Sequence, residues 1–186
     1  MNHPVERLIQ TIIYKSVEFE VVERLDVIWV GCAAFSGNNT APPFFDDDTA
    51  LIRRYQALID VPKQELICPD WSAAISINFD CGDKPSGIMF AQETYSENQD
   101  GSYDLFTQMG GLWLRMLNNE NAARLLGKQN PAPYEYFAES QIMQCAAKEN
   151  GFRQNSGVHV QIEYSCHAEY NTPPHKNYAY IPIEKV

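Results

Sequence analysis

Residues 86–111, SGIMFAQETYSENQDGSYDLFTQMGG, hold two strand-length runs, Gly87–Tyr95 and Ser102–Met109, on either side of the polar segment Ser96-Glu97-Asn98-Gln99-Asp100-Gly101. Asp-Gly between two such runs is a strong short-range hairpin signal, because these residues accept the positive φ that tight strand-joining turns require. A hairpin here commits the chain to a sheet. Glu93 stands near the end of the first run, a carboxylate behind an apolar stretch. Two readings of it are open: a solvated glutamate at a strand end, or a carboxylate on the wall of a ligand cavity.

Other stretches supply further strands. Val17, Phe19 and Val21 alternate with Glu18 and Glu20, and the apolar run Leu25–Phe35, which includes Trp29, follows. The spacing predicts a strand pair or one long bent strand. Trp71–Phe79 is a third strand-like run. Val158–Tyr170 alternates most cleanly, with Val158, Val160, Ile162 and Tyr164 on one face and His159, Gln161, Glu163, Ser165, His167 and Glu169 on the other. Asn177–Val186 closes the chain as a strand that Pro182 places at an edge or near a bulge.

Helical spacing recurs between these runs. Val5, Leu8, Ile9, Ile12 and Ile13 predict an N-terminal amphipathic helix within residues 1–15, followed by one domain over 16–186. Asp46-Asp47-Asp48 reads as the capping start of a helix whose buried face is Leu51, Ile52, Tyr55, Leu58 and Ile59. Composition favours a helix over Leu112–Leu126, and Phe137–Asn150 is a helix that Gly151 stops. Strands, a helix and more strands therefore occur twice in order, without a residue-level repeat.

A formal net charge of -10 argues against direct contact with nucleic acid, whose phosphates demand Lys and Arg. No run is apolar enough to span a bilayer, and no basic-then-apolar leader opens the sequence. Five scattered cysteines fit reduced thiols, so a cytoplasmic location is expected. His159, Glu163 and His167 share a strand face, but positions four apart in a strand are separated by about 13 Å, too far for one zinc. Neither a metal nor a cofactor is expected, since no metal-binding, nucleotide-binding or phosphate-loop spacing occurs. No nucleophile elbow or family-type cysteine is present either.

Aromatics and carboxylates remain. Tyr95, Tyr103, Tyr164, Tyr170, Tyr178 and Tyr180 fall in strands that also carry Glu93, Glu163 and Glu169. Rings beside a carboxylate suit a flat or cationic organic ligand through stacking, cation–π attraction and charge pairing. Tyrosines also suit strands with no ligand at all.

The run VEFEVVERLDVIWVGCAAFS, the series Gly87…Glu93-Thr94…Gly101…Tyr103…Gly110 and the ending NYAYIPI resemble the effector-binding domains related to the gyrase-inhibitory protein (GyrI-like). Such domains stand alone or follow AraC-type DNA-binding domains, and the middle series resembles their integron-associated branch. The resemblance implies an α+β fold of duplicated strand-helix-strand-strand units, here roughly 16–111 and 112–186. Their antiparallel sheet would be backed by two helices, with a ligand cavity on the opposite face near the pseudo-twofold axis. It also implies a buried glutamate from a late strand. Ile162-Glu163-Tyr164 has the right distance to the terminal strand, with Ser165 where the family has tyrosine; Ala168-Glu169-Tyr170 has glutamate and tyrosine adjacent.

The expected function is a stand-alone domain that binds a cationic or aromatic organic effector, with a role in transcriptional regulation. Glu169, Glu163 or Glu93 would supply charge, and Tyr170, Tyr178, Tyr180 and Trp29 the walls. One rival is a hydrolase on the same scaffold with a glutamate as general base. The other is an acidic module that docks a protein partner through Glu18, Glu20, Glu23 and Asp46–Asp48.

Overall fold

The computed structural model describes residues 3–35, 48–58, 61–78, 86–99, 102–117, 125, 139–158, 160–166 and 177–186. They form ten strands and two helices: β1 (Glu6–Tyr14), β2 (Val17–Arg24), β3 (Val27–Phe35), α1 (Asp48–Leu58), β4 (Trp71–Ile77), β5 (Gly87–Thr94), β6 (Asp104–Gln108), β7 (Gly111–Leu117), α2 (Glu139–Glu149), β8 (Phe152–Gln154), β9 (Val160–Cys166) and β10 (Asn177–Lys185). One sheet runs in the order β1-β2-β7-β10-β9-β4-β5-β3-β6, with β8 paired to β10. Every pairing is antiparallel. Among the described residues no helix is long and apolar enough to cross a membrane.

The connection between β2 and β3 bends this sheet. Only Leu25 and Asp26 join the two strands, yet the sheet order puts β7, β10, β9, β4 and β5 between them. Six steps across a flat sheet would cover about 29 Å at 4.8 Å each. Three Cα–Cα steps reach at most about 11 Å. The sheet must therefore curl until β2 and β3 come together, which gives it a concave and a convex face.

Alternation sorts the side chains between those faces. Trp29, Ile75, Met89, Trp113, Ile162, Tyr164, Tyr178 and Tyr180 belong to one buried cluster on the concave side. Phe19, Val21, Leu114, Met116, Ile181 and Ile183 form the other, with Met143, Ala146 and Ala147 of α2 packed into it. Helix α1 lies against β3 and brings Tyr55 to 5.8 Å from the Phe90 ring, on the side opposite Met89 and Ala91. Both helices thus back the convex face. Gly31 of β3 sits so close to β5 that a Cβ there would meet the Phe90 carbonyl and Ala91, so the strand tolerates no side chain at that point.

Three elements differ from the sequence expectation. The N-terminal amphipathic helix within residues 1–15 is instead strand β1. Its β-branched residues Ile9, Thr11, Ile12 and Ile13 lose rotamer freedom in a helix and suit a strand. A register shift between Leu8 and Gln10 changes the phase of the alternation, and that shift imitates helical spacing. The start of Leu112–Leu126 is likewise strand β7. Its run is apolar on both faces because the concave cluster takes Trp113 while the helix-backed cluster takes Leu114 and Met116, leaving no period to read. Finally, β5 and β6 are strands but not a hairpin: each pairs with β3, which lies between them. The Asp100-Gly101 turn signal lies outside the described residues. The helix expected at Phe137–Asn150 is present as Glu139–Glu149, with Met143, Ala146 and Ala147 buried and Cys145 exposed.

Candidate functional site

Glu93 lies next to last in β5 and opposite Trp29 of β3. Its side chain is fully buried, which removes the solvated strand-end reading. The Arg24 guanidinium donates from Nη2 to Glu93 Oε1. On the other oxygen, Oε2, the Tyr164 hydroxyl donates at 2.9 Å and His3 Nε2 approaches to 2.6 Å. Arg24 also stands 3.3 Å from Glu6 through its Nε. Glu6 accepts from Arg115 Nη1 at 2.5 Å, and Arg115 Nε donates to Glu20 at 2.6 Å. His3, Glu93, Arg24, Glu6, Arg115 and Glu20 form one line of alternating charge across the concave face.

Local sequence explains how these groups meet. On β2, Glu20, Val22 and Arg24 share one face while Phe19, Val21 and Val17 take the other, toward α2. On β7, Arg115 is two residues from Trp113 and so shares its face, opposite Glu20 in the pairing with β2. The curl then brings Arg24, at the end of β2, to β5. Residues 3–5 complete the arrangement, with Val5 in the concave cluster and the His3 side chain inside it.

Rings enclose the charges. The Arg24 guanidinium carbon lies 5.0 Å from the Tyr180 ring centroid, 5.8 Å from Trp113 and 6.0 Å from Trp29. Arg115 lies 5.3 Å from Tyr178. Tyr164 stacks on Trp71 at 5.1 Å and meets Trp29 and Tyr180 edge-on. Contacts of this kind stabilise a desolvated cation by about 2 kcal/mol. Trp29 Nε1 donates to Gln108 Oε1 at 2.9 Å, which fixes the amide orientation and leaves the buried Gln108 Nε2 without a hydrogen-bond partner among the described residues.

Electrostatics follow from this packing. Burial alone would raise the Glu93 carboxyl, but the Arg24 charge, His3 and the Tyr164 hydroxyl outweigh it and hold the group below the usual carboxylate range. Burial alone would lower His3; hydrogen bonding to Cys68 and Glu93 and the charges of Glu93 and Glu6 push it up to about 9. The Val5 N–H faces His3 Nδ1 at 3.4 Å, a long contact, while the other ring nitrogen, Nε2, faces the Glu93 carboxylate at 2.6 Å. Burial and the neighbouring Glu93 raise the Tyr164 hydroxyl, which stays protonated as a donor. With His3 protonated, three cations and three carboxylates face one another.

Of the residues expected at a site, Glu93, Trp29, Tyr178 and Tyr180 come together. Glu163 is in β9, paired with Ala74 and Ala179, and its side chain is outside the described ones. Glu169 and Tyr170 lie outside the described residues, as do His159 and His167. Tyr95 is 60% exposed, and the Tyr103 hydroxyl serves the Leu58 and Val61 carbonyls, so neither belongs to the ring cluster. Sequence reasoning missed Arg24, Arg115, His3 and Glu6. Arg115 carried a usable signal: it is the one charge in the apolar run Gly111–Leu117, and a lone charge in such a run needs a buried partner.

The fold and the site define a class: a curled antiparallel sheet with both helices on its convex face and a ring-and-charge cluster on its concave one. Solved structures with this fold include the crystal structure of the EcmrR C-terminal domain, at a TM-score of 0.58 and 13% identity over 91% of this chain and 99% of that one. EcmrR in the cryo-EM structure of its DNA complex in EcmrR-RPo is similar at 0.54 and 12%, over 90% of this chain and 57% of that one. A hydrolase from Listeria innocua follows at 0.50 and 10%, over 89% and 91%. At these identities the likeness is one of fold. No family model matches the sequence, and neither does any curated protein.

Proposed function

We propose that the chain is a GyrI-like effector-binding domain that takes a small organic ligand, cationic or aromatic, on the concave face of its sheet. The observation that carries this reading is the ring cluster of Trp29, Trp71, Trp113, Tyr164, Tyr178 and Tyr180 around a buried carboxylate, on the face opposite the two described helices. Flat rings and a carboxylate are the groups that stack on and charge-pair with an organic cation. The buried amide nitrogen of Gln108 adds a polar group that has no partner among the described residues.

Glu169 and Tyr170 belong to the same proposal as further ligand contacts, whereas Glu163 stands between Ile162 and Tyr164 on β9, so alternation puts its position on the other face of the sheet. The strand order supports the duplicated units as well: β7-β10-β9 mirrors β3-β5-β4, with β9 and β4 paired at the seam. We assign the units to roughly 16–111 and 112–186, within the integron-associated branch. A part in transcriptional regulation fits a fold shared with a protein seen in a DNA complex. The DNA contacts would then belong to a partner, since this chain carries a net charge of -10.

The rival readings find less support. A general base works best with a pKa near the operating pH, and Glu93 is held low with both oxygens engaged. Of the acids proposed for protein docking, Glu20 and Glu23 are already paired with Arg115 and Arg7.

A thermal-shift screen of the full chain against cationic, neutral and anionic aromatic compounds of matched shape tests the proposal. A ligand at a hundredfold excess over its Kd stabilises by about 2.7 kcal/mol, roughly 5–11 °C in Tm for a chain of this size. Saturable shifts that Tyr180→Ala removes are expected. No shift with any compound overturns effector binding.

A further inference from the structure

Arg24 already occupies the position that a ligand cation would take. Its guanidinium is ion-paired with Glu93 and stands within 5.0–6.0 Å of the Tyr180, Trp113 and Trp29 rings. Its side chain is 1% exposed and that of Glu93 0%, so the pair is fully withdrawn from water. With His3 protonated, the ion pairs among the described residues balance: His3, Arg24 and Arg115 face Glu6, Glu20 and Glu93. Adding one more cation would leave an uncompensated charge in a low-dielectric interior, which is costly. Exchanging one cation for another leaves the balance intact.

The position of Arg24 in the chain permits exchange. It is the last residue of β2 and precedes the two-residue link to β3, of which Leu25 is 64% exposed. Its second carboxylate, Glu6, lies on the neighbouring strand β1 at 3.3 Å, so the guanidinium can turn to Glu6 without losing every partner. The rings also favour a planar cation. Three of them surround the delocalised charge of Arg24, and an ammonium would offer no plane to lie against them.

We propose that Arg24 is a built-in occupant of the site, and that the site takes planar, delocalised monocations of the amidinium or guanidinium type by exchange against it. The inference rests on the concave face being the ligand site. It adds the ligand class and the step that admits it.

Benzamidine is the probe, with its neutral isostere benzamide as control, titrated against the wild-type chain and Arg24→Ala while Tm and heat of binding are recorded. Removing Arg24 leaves Glu93 with a vacated partner, so Arg24→Ala is expected to melt lower and to regain Tm saturably with benzamidine but not with benzamide. The wild-type chain should need at least tenfold more benzamidine for the same shift, and Glu93→Gln in the Arg24→Ala background should abolish the response. Equal affinity of wild type and a folded Arg24→Ala, or no response in it, overturns the exchange. If circular dichroism shows Arg24→Ala unfolded, Arg24→Gln, which keeps most of the stem, replaces it. The wild-type chain gives an independent readout in the arginine side-chain Nε–H signals. Benzamidine should shift that of Arg24 more than that of Arg115, and an Arg24 signal unmoved up to the solubility limit overturns the proposal. Its failure is separable from that of the effector reading: a wild-type chain that still responds to neutral aromatic compounds keeps the latter, and one that responds to nothing loses both.

Discussion

The charge state of the buried cluster turns on His3. Its ordinary pKa of 6.5 lies near neutral and rises to about 9 as it joins Glu93. A folded-state pKa above the unfolded one contributes stability that is fully present below about 6.5 and is lost as pH rises through about 9. The His3 side chain is fully buried, so the contribution is on the order of 3 kcal/mol. Glu93 has the opposite sign: its depressed carboxyl stabilises above the ordinary 4.5 and loses that contribution as pH falls through its lower folded value. Urea midpoints should therefore be highest between pH 5 and 6.5 (roughly the window these two groups define) and fall by pH 9.5. In His3→Ala the alkaline fall should disappear; if it persists unchanged, His3 is not the group responsible.

Strand β1 shows how an element escapes a sequence reading and how a turn can expose it. Lys15 and Ser16 join β1 to β2 with φ of 49° and 67°, the geometry of a two-residue type I′ turn. Neither residue is one that such a turn prefers, so nothing in the sequence announced a hairpin. Replacing them with Asn and Gly removes the left-handed strain at both positions, and Lys15→Asn/Ser16→Gly should stabilise the chain by about 1 kcal/mol or more. Equilibrium urea unfolding measures this, and a destabilised double variant would mean the turn is held by contacts of the Lys15 side chain, which stands over Tyr14 at 5.2 Å. Legibility elsewhere follows the same logic. Strands with one polar face, β2 and β9, were read from their alternation, and α2 from its spacing and Gly151. Strand β7 was not, because both faces are covered and its period vanishes. Glu93, Trp29, Tyr178 and Tyr180 were legible as chemistry, whereas Arg24 and His3 were not. Their role arises from the curl of the sheet, and no local pattern encodes which distant strand a side chain will face.

The curl itself fixes how the whole molecule should respond to loss of the Arg24–Glu93 pair. The pair joins β2 to β5, strands with β7, β10, β9 and β4 between them in the sheet, so it closes the concave face across its width. The apolar cluster on that face closes it too, and the question is which interaction the curl depends on. Removing one partner of a buried ion pair strands a charge in the core and costs about 3–5 kcal/mol. Here the loss lies toward the lower end, because Glu93 keeps His3 and Tyr164 when Arg24 is replaced, and Arg24 keeps Glu6 when Glu93 is. Replacing both by apolar residues of similar volume strands neither charge in the same way. Arg24→Met and Glu93→Leu should each destabilise by about 3 kcal/mol, and the double variant by clearly less than their sum, with a coupling of roughly 2–3 kcal/mol in a double-mutant cycle. Urea unfolding supplies both the free energies and the slope that reports exposed surface. An unchanged slope in the double variant means that the apolar cluster alone keeps the sheet curled. A lowered slope in the double variant, with the coupling retained, means instead that the pair holds the ends of the sheet together, and the ionic line is then part of the fold and not only of the site.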